Sequence, residues 1–186
     1  IIISESFVFD RSLLFKKHDE VIKFSKIYDM IGWDYSDFIT GNTILHSQVA
    51  GLHIEGVKFI SEKERKLIYC GMDKLNSKGN TPIESLFLEH HNSFEDKNAL
   101  EKKEIIFNIL TDFADDSKSC FLKKLMLKVA QHQVKNKKIN IDDFKIINRK
   151  KYIKNHNIDL ILSRVEVEDS REKRHLNILS KLLKSD

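Results

Sequence analysis

Residues 71–86 read GMDKLNSKGNTPIESL, and here turn chemistry, helix-start chemistry and a repeat signature coincide. Gly79 stands where a tight turn needs a residue that tolerates positive φ, and Asn80 beside it is the next best choice for such a backbone. Thr81 can accept an amide hydrogen bond as an N-cap, and Pro82 presets φ at the first helical position. Glu84, three residues after the cap, can reach back to the Thr81 amide to complete a capping box. The same order occurs upstream as Gly41-Asn42-Thr43-Ile44-Leu45-His46, with Gly41 and Gly79 38 residues apart. A turn and a helix start repeated at that distance predict a stacked helical repeat.

Composition agrees with a helical chain. One proline, six glycines and 32% charged residues in 186 suit helices, whereas a β-sandwich needs many more turn residues. No apolar run approaches the roughly 20 residues of a membrane span, and Ile1-Ile2-Ile3 is too short for a signal-peptide core, so a cytoplasmic location is expected, in the protein's own cell or in a host. The first residue is not Met, as expected of a fragment. Cys70 and Cys120 lie in apolar helical patterns, which favours buried thiols over a disulfide.

The periodicity predicts an all-α chain in three parts. Residues 1–36 form an N-terminal helical flank, in which Val21, Phe24, Tyr28 and Ile31 make one apolar stripe and Trp33 follows in a loop packed over a repeat end. Residues 37–116 hold the two repeats. The first helix runs from Thr43 to about Gly51, and a long connection leads to a second helix from about Ser61 to Cys70. Leu67 belongs to the core there, and Ser61 with Glu64 is a candidate capping box. The second repeat carries a polar insertion near Asn92 to Asn98, then a helix with Ile106, Ile109, Leu110 and Phe113 inward. Residues 117–186 are expected to be C-terminal helices, a degenerate repeat plus a bundle. They comprise a helix over Ser119 to Val134 with a wide apolar face, one capped by Asn140 or Asp142, one from Ile158 to about Val167, and a last from Ser170.

Both copies of the turn resemble ankyrin repeats, whose pattern is Gly-x-Thr-Pro-Leu-His opening a first helix and a second helix ending in Leu-Leu-x-x-Gly-Ala-Asp. Thr43-Ile44-Leu45-His46 matches with Ile in place of Pro, and Thr81-Pro82-Ile83-Glu84 matches with Glu in place of His. Lys66 to Asp73 matches a repeat end, and Asn108 to Asp115 does so with Phe113 where Gly is expected. The resemblance covers roughly Asp37 to Asp116 and implies a short helical solenoid with flanking helices that binds a protein partner through its turn fingertips and concave helical face. Divergent repeats in a Lys-, Asn- and Ile-rich chain also resemble those of bacterial secreted effectors and poxviral host-range proteins. His46 takes the position where the family uses histidine to bond turn backbone. The fingers place Phe38 and Ile39 before Gly41, and Lys74 and Leu75 before Gly79, as candidate partner contacts; the alternative is that the apolar ones fold under the turn as staples.

No residues carry a catalytic, cofactor or metal-ligating pattern. Glu89-His90-His91 places adjacent histidines about 100° apart on a helix, which does not suit one shared ion, and the His-Glu-x-x-His spacing is absent. Cys70 and Cys120 lack the surroundings of a thiol nucleophile, and there is no phosphate-binding glycine loop and no Gly-x-Ser-x-Gly elbow. The chain is therefore expected to be a binding module. The alternatives are a non-catalytic portion of an enzyme whose active domain lies elsewhere, or a basic helical module. Residues 118–186 carry 18 Lys and Arg against 8 Asp and Glu, and residues 1–117 carry 14 against 20, so the two parts differ in sign. The basic C-terminal helices, with Arg149-Lys150-Lys151, Lys154, Arg171 and Lys173-Arg174, offer a surface for nucleic acid, anionic lipid or an acidic protein.

Overall fold

The computed structural model describes residue 21 and residues 25–89, 98–112, 118–137, 139–148, 165 and 170–184. All regular structure among them is helical, so the chain is of the all-α class. Compact packing divides it into two units, Ile1–Phe113 and Ala114–Asp186, and the N-terminal helix belongs with the first.

In the first unit the helices are α1 (Ser25–Ile31), α2 (Ile44–Ala50), α3 (Ile54–Arg65), α4 (Pro82–Leu88) and α5 (Ala99–Thr111). Both short helices begin as the sequence dictates. Thr43 Oγ1 accepts from the His46 amide and Thr81 Oγ1 from the Glu84 amide, and in each case the side chain three residues on bonds back to the cap amide. Caps of this kind are worth about 1 kcal/mol each, which matters for helices of seven residues because a two-turn helix is unstable in isolation. Packing supplies the rest. Helix α2 lies against α4, and α3 against α5, while each short helix also meets the longer helix that follows it. The shared core holds Ile44, Leu45, Val49, Val57, Ile60, Leu86, Ile106 and Phe107. Phe87 and Phe107 meet edge to face at 5.6 Å, each such side chain contributing on the order of 1.5–3 kcal/mol by burial.

Helix α3 corrects the expected boundaries. It starts directly after a three-residue corner in which Leu52 takes φ of 55°, and it stops at Arg65. Ser61 is therefore mid-helix and caps nothing. Glu64 instead accepts from the Cys70 amide at 2.6 Å, and Leu67, at φ of 63°, is 95% exposed rather than in the core. The apolar spacing was readable, but Val57 and Ile60 carry the core face, and the segment after Arg65 turns outward.

The start of α3 also explains a glycine inside a helix. A Cβ on Gly56 would lie 2.0 Å from Gln48 Oε1 and 2.9 Å from its Cδ. Gln48 is wholly buried on α2, so its amide has little room to withdraw. Trp33, also buried, joins α1 to α3. Its Nε1 donates to Asp29 Oδ1 at 2.7 Å, its ring lies 5.3 Å from Tyr28 and 5.9 Å from Phe59, and Lys63 Nζ sits 5.4 Å above it.

The second unit contains α6 (Lys118–Lys135), α7 (Ile141–Asn148) and α8 (Ser170–Lys184), which pack on one another. Leu122, Leu125, Met126, Val129, Ala130 and Val134 are the buried stripe of α6, and Phe144, Ile146 and Ile147 that of α7; Phe121, at the start of α6, is only half-buried. Asn140 is the cap of α7, its Oδ1 accepting from the Asp142 amide at 3.1 Å. Gln133 ties the two helices, donating to Asp143 Oδ2 and accepting from the Asn140 amide. The helix expected over Ile158 to Val167 lies outside the described residues, except Val165, which is buried.

The contact between α2 and α3 gives a prediction. Gly56→Ala should destabilise the protein by roughly 1–3 kcal/mol by overpacking, although alanine gains about 1 kcal/mol of helix propensity. In a Gln48→Ala background the same change should become neutral or stabilising, as measured by urea unfolding of the four proteins.

Candidate protein-binding ridge

The two turns ahead of α2 and α4 are built from the same chemistry with different residues. In the first, the Asp37 carboxylate accepts from the amides of Ile39 (3.2 Å) and Thr40 (3.0 Å), while the Asp37 amide donates to the Asn42 carbonyl and the Gly41 amide to the Asp37 carbonyl. In the second, Asn76 takes this place. Its Oδ1 accepts from the amides of Lys78 and Asn80, both at 3.0 Å, and its backbone bonds to Asn80 and Gly79. Gly41 and Gly79 take φ of 67° and 75°, the left-handed region that costs a side chain about 1–2 kcal/mol.

Three hydrogen bonds fasten one turn to the other. The Ser77 amide donates to the Thr40 carbonyl at 2.9 Å, and Asn76 Nδ2 donates to Asn42 Oδ1 at 2.9 Å. The third is made by His46, which is fully buried. Its Nε2 lies 2.9 Å from the Asn80 carbonyl oxygen, so Nε2 carries the proton, and Nδ1 accepts from the Thr43 amide at 3.1 Å. The approach is close enough that a Cβ on Gly41 would lie 2.7 Å from the Ser77 amide nitrogen. Glu89 completes the network from the end of α4, its Oε1 accepting from Asn76 Nδ2 (2.6 Å) and Ser85 Oγ (3.0 Å).

This frame presents the residues expected at the fingertips. Phe38 is 81% exposed, Ile39 50% and Leu75 59%, so these apolar side chains are not staples under the turns. Lys74 lies at the base of the second turn, where Nζ donates to the Asp34 carbonyl at 2.6 Å and pairs with its carboxylate at 3.5 Å. Leu67, Ile68 and Tyr69 add exposed apolar surface on the segment leading into that turn, with the Tyr69 hydroxyl donating to Asp73 Oδ1. This hydrogen bond and the neighbouring carboxylate push the Tyr69 phenol up to about 12.

Asn76 and Glu89, the hubs of the network, were not singled out in the sequence. An Asp or Asn three or four residues ahead of each turn glycine is the available signal, and it does not reveal Glu89, which reaches the turn only through the fold of α4. His90 and His91 lie outside the described residues, as do Arg149 to Lys151 and Lys154 and the side chains of Cys120 and Arg171. Among the described residues no group of three His, Cys, Asp or Glu side chains can hold a metal ion, and no helix is long and apolar enough to cross a membrane. No protein-family model matches the chain, and no curated protein or solved structure matches it either.

Two titratable groups are tied to the frame. Burial holds the His46 imidazole below its ordinary value of 6.5, against the opposing pull of the Asn80 carbonyl and Glu89. Between that depressed value and 6.5 the unfolded chain binds the proton that the folded chain refuses. Stability is then full above 6.5 and is lost as pH falls toward the folded value. Unfolding free energies measured in urea between about pH 7.5 and 5 should decline in the parent, and the decline should be shallower in His46→Asn, which cannot take up the proton.

Cys70 is the second. It is buried, with Sγ against the carbonyls of Ile60 (3.7 Å) and Ile68 (3.2 Å). Burial, with the Glu64 carboxylate nearby, raises its thiol to about 12. Since the thiolate is the reactive form, Cys70 in a Cys120→Ser background should resist iodoacetamide at pH 8 while folded and be alkylated once urea unfolds the chain, as read by mass spectrometry.

Proposed function

We propose that the first unit is an ankyrin-type interaction module that docks a partner protein on the ridge formed by Phe38, Ile39, Lys74 and Leu75. The observation that carries this reading is that three exposed apolar side chains stand on two turns whose backbones are hydrogen-bonded to each other. Exposed apolar groups on a rigid frame lose little conformational freedom on binding, and such groups are the usual anchors of an interface. The paired helices behind the turns, short on short and long on long, supply the frame that stacked repeats use to keep a surface open for recognition. Tyr69 and Ile68 extend the same apolar surface. On this reading the module has no cofactor and acts by occupancy rather than by chemistry, in the cytoplasm of its own cell or, if it is a secreted bacterial effector, in that of a host.

A photo-cross-linking amino acid at position 38 tests the reading. One discrete adduct of defined mass should form in cells and should be lost on adding Leu75→Asp, while the same probe at position 58 on α3 gives none. Phe38→Ala with Leu75→Ala should weaken binding of the partner so identified by more than about 1 kcal/mol and leave the melting temperature nearly unchanged. Equal cross-linking from positions 38 and 58, or retained affinity in the double variant, would remove the ridge as the docking site.

A further inference from the structure

We propose that the second unit carries a duplex nucleic-acid surface that contacts the phosphate backbone without reading sequence. The observation is the character of everything that this unit exposes among its described residues. Lys124, Gln131, Lys135, Asn136 and Lys137 are exposed on and just after α6, Asn140 at the cap of α7, and Ser170, Lys173, Arg174, Asn177, Ile178 and Lys181 on α8. Six of these twelve are cations and none is an acid. The two acids described in α7 do not offset them, since Asp143 is buried against Gln133 and Asp142 is half-buried. None of the six cations has an ion-pair partner among the described residues. Over residues 114–186 the chain holds 18 Lys and Arg against 10 Asp and Glu.

The uncharged members of the surface decide which anion it suits. Apart from Ile178 they are Asn, Gln and Ser, side chains that, with Lys and Arg, make most protein contacts to phosphate and sugar oxygens. On α8 the positions 173, 177 and 181 are spaced by four, and 174 and 178 flank them, so the polar groups share one face. Lys173 to Lys181 spans about 12 Å and Lys124 to Lys135 about 16 Å at 1.5 Å per residue, lengths that cover several phosphates of one strand. No aromatic side chain is among the twelve, which removes the stacking platform that single strands and unpaired bases require. An anionic membrane is the poorer fit. A helix that lies in the bilayer interface inserts an apolar face, and α8 packs against α6 and α7 with Leu176 buried.

The test uses the full chain and a labelled random-sequence duplex, with binding followed by fluorescence anisotropy as salt is raised. Binding is expected at about 50 mM salt. The logarithm of affinity should fall linearly with the logarithm of salt by about 0.9 for each phosphate neutralised, which for six contacts is a loss of roughly a thousandfold by about 200 mM. Lys173→Gln, Arg174→Gln and Lys181→Gln together should lower affinity at least tenfold and flatten the slope by about 3. Lys124→Gln, Lys135→Gln and Lys137→Gln should do the same from α6, so that poor folding of one triple variant leaves the other to decide. Lys66→Gln with Lys78→Gln, on the first unit, should leave both quantities unchanged. Absence of binding at the lower salt, a parental slope in a folded triple variant, or tighter binding to phosphatidylserine vesicles than to the duplex would overturn the assignment. Because the ridge variants Phe38→Ala and Leu75→Ala lie on the other unit, their effect on the partner protein is separate from this result.

Discussion

The first unit depends on one imidazole used from both sides. His46 closes the helix behind it through Nδ1 and holds the next turn through Nε2, where the acceptor is the Asn80 carbonyl. A neutral ring is the natural side chain for this place because it offers one acceptor and one donor in a fixed line. Its burial and its hydrogen bonds also support each other: solvent would compete for both nitrogens, and an imidazole buried without partners would cost more than it returned. The register of the two turns, the side-by-side position of their tips and the meeting of α2 with α4 all follow from that contact and from the two further links at Ser77 and Asn76.

Around this contact the frame is polar, and the surface it displays is apolar. Asp37, Asn42, Thr43, Asn76, Asn80 and Ser85 are all buried, yet their side chains meet other protein groups rather than water. Phe38 and Leu75 are exposed close beside them. Buried polar networks of this kind rigidify when fully satisfied, which is a suitable base for side chains that must be held out without a core of their own. Gln48 is an exception, as are the hydroxyls of Ser36 and Ser61: among the described residues both ends of the Gln48 amide are buried without a hydrogen-bond partner. Its fit against Gly56 is therefore a matter of shape alone.

The parts of the fold legible in the sequence were those set within a few residues. The caps at Thr43 and Thr81, the proline at the first helical position and the start of α8 at Ser170 are local choices readable from residue type and spacing, and the cap of α7 was narrowed to Asn140 or Asp142, of which Asn140 makes the bond. What failed depended on bonds and backbone angles that residue spacing does not encode. The end of α3 is fixed by Glu64 reaching the Cys70 amide and by Leu67 adopting a left-handed backbone, and neither follows from apolar period, which continues past Arg65. Glu89 gives no local sign of its role because it acts on a turn 13 residues earlier. The fingertip residues were legible only as alternatives, anchor or staple, because a turn sequence does not say which way its apolar side chains fall.

The difference between His46 and Glu84 bears on how far such an arrangement can extend. Both occupy the third position of their helices and both bond back to the cap, but a carboxylate only accepts hydrogen bonds. Glu84 spends Oε2 on the Thr81 amide at 3.0 Å and has no proton to give to a following carbonyl. The link that joins the first turn to the second thus has a direction, and the second turn cannot pass it on in the same form. A further turn joined by the same bond would need a proton donor such as histidine at position 84, so the two helix starts, alike in their caps, differ in what they can hold beyond themselves.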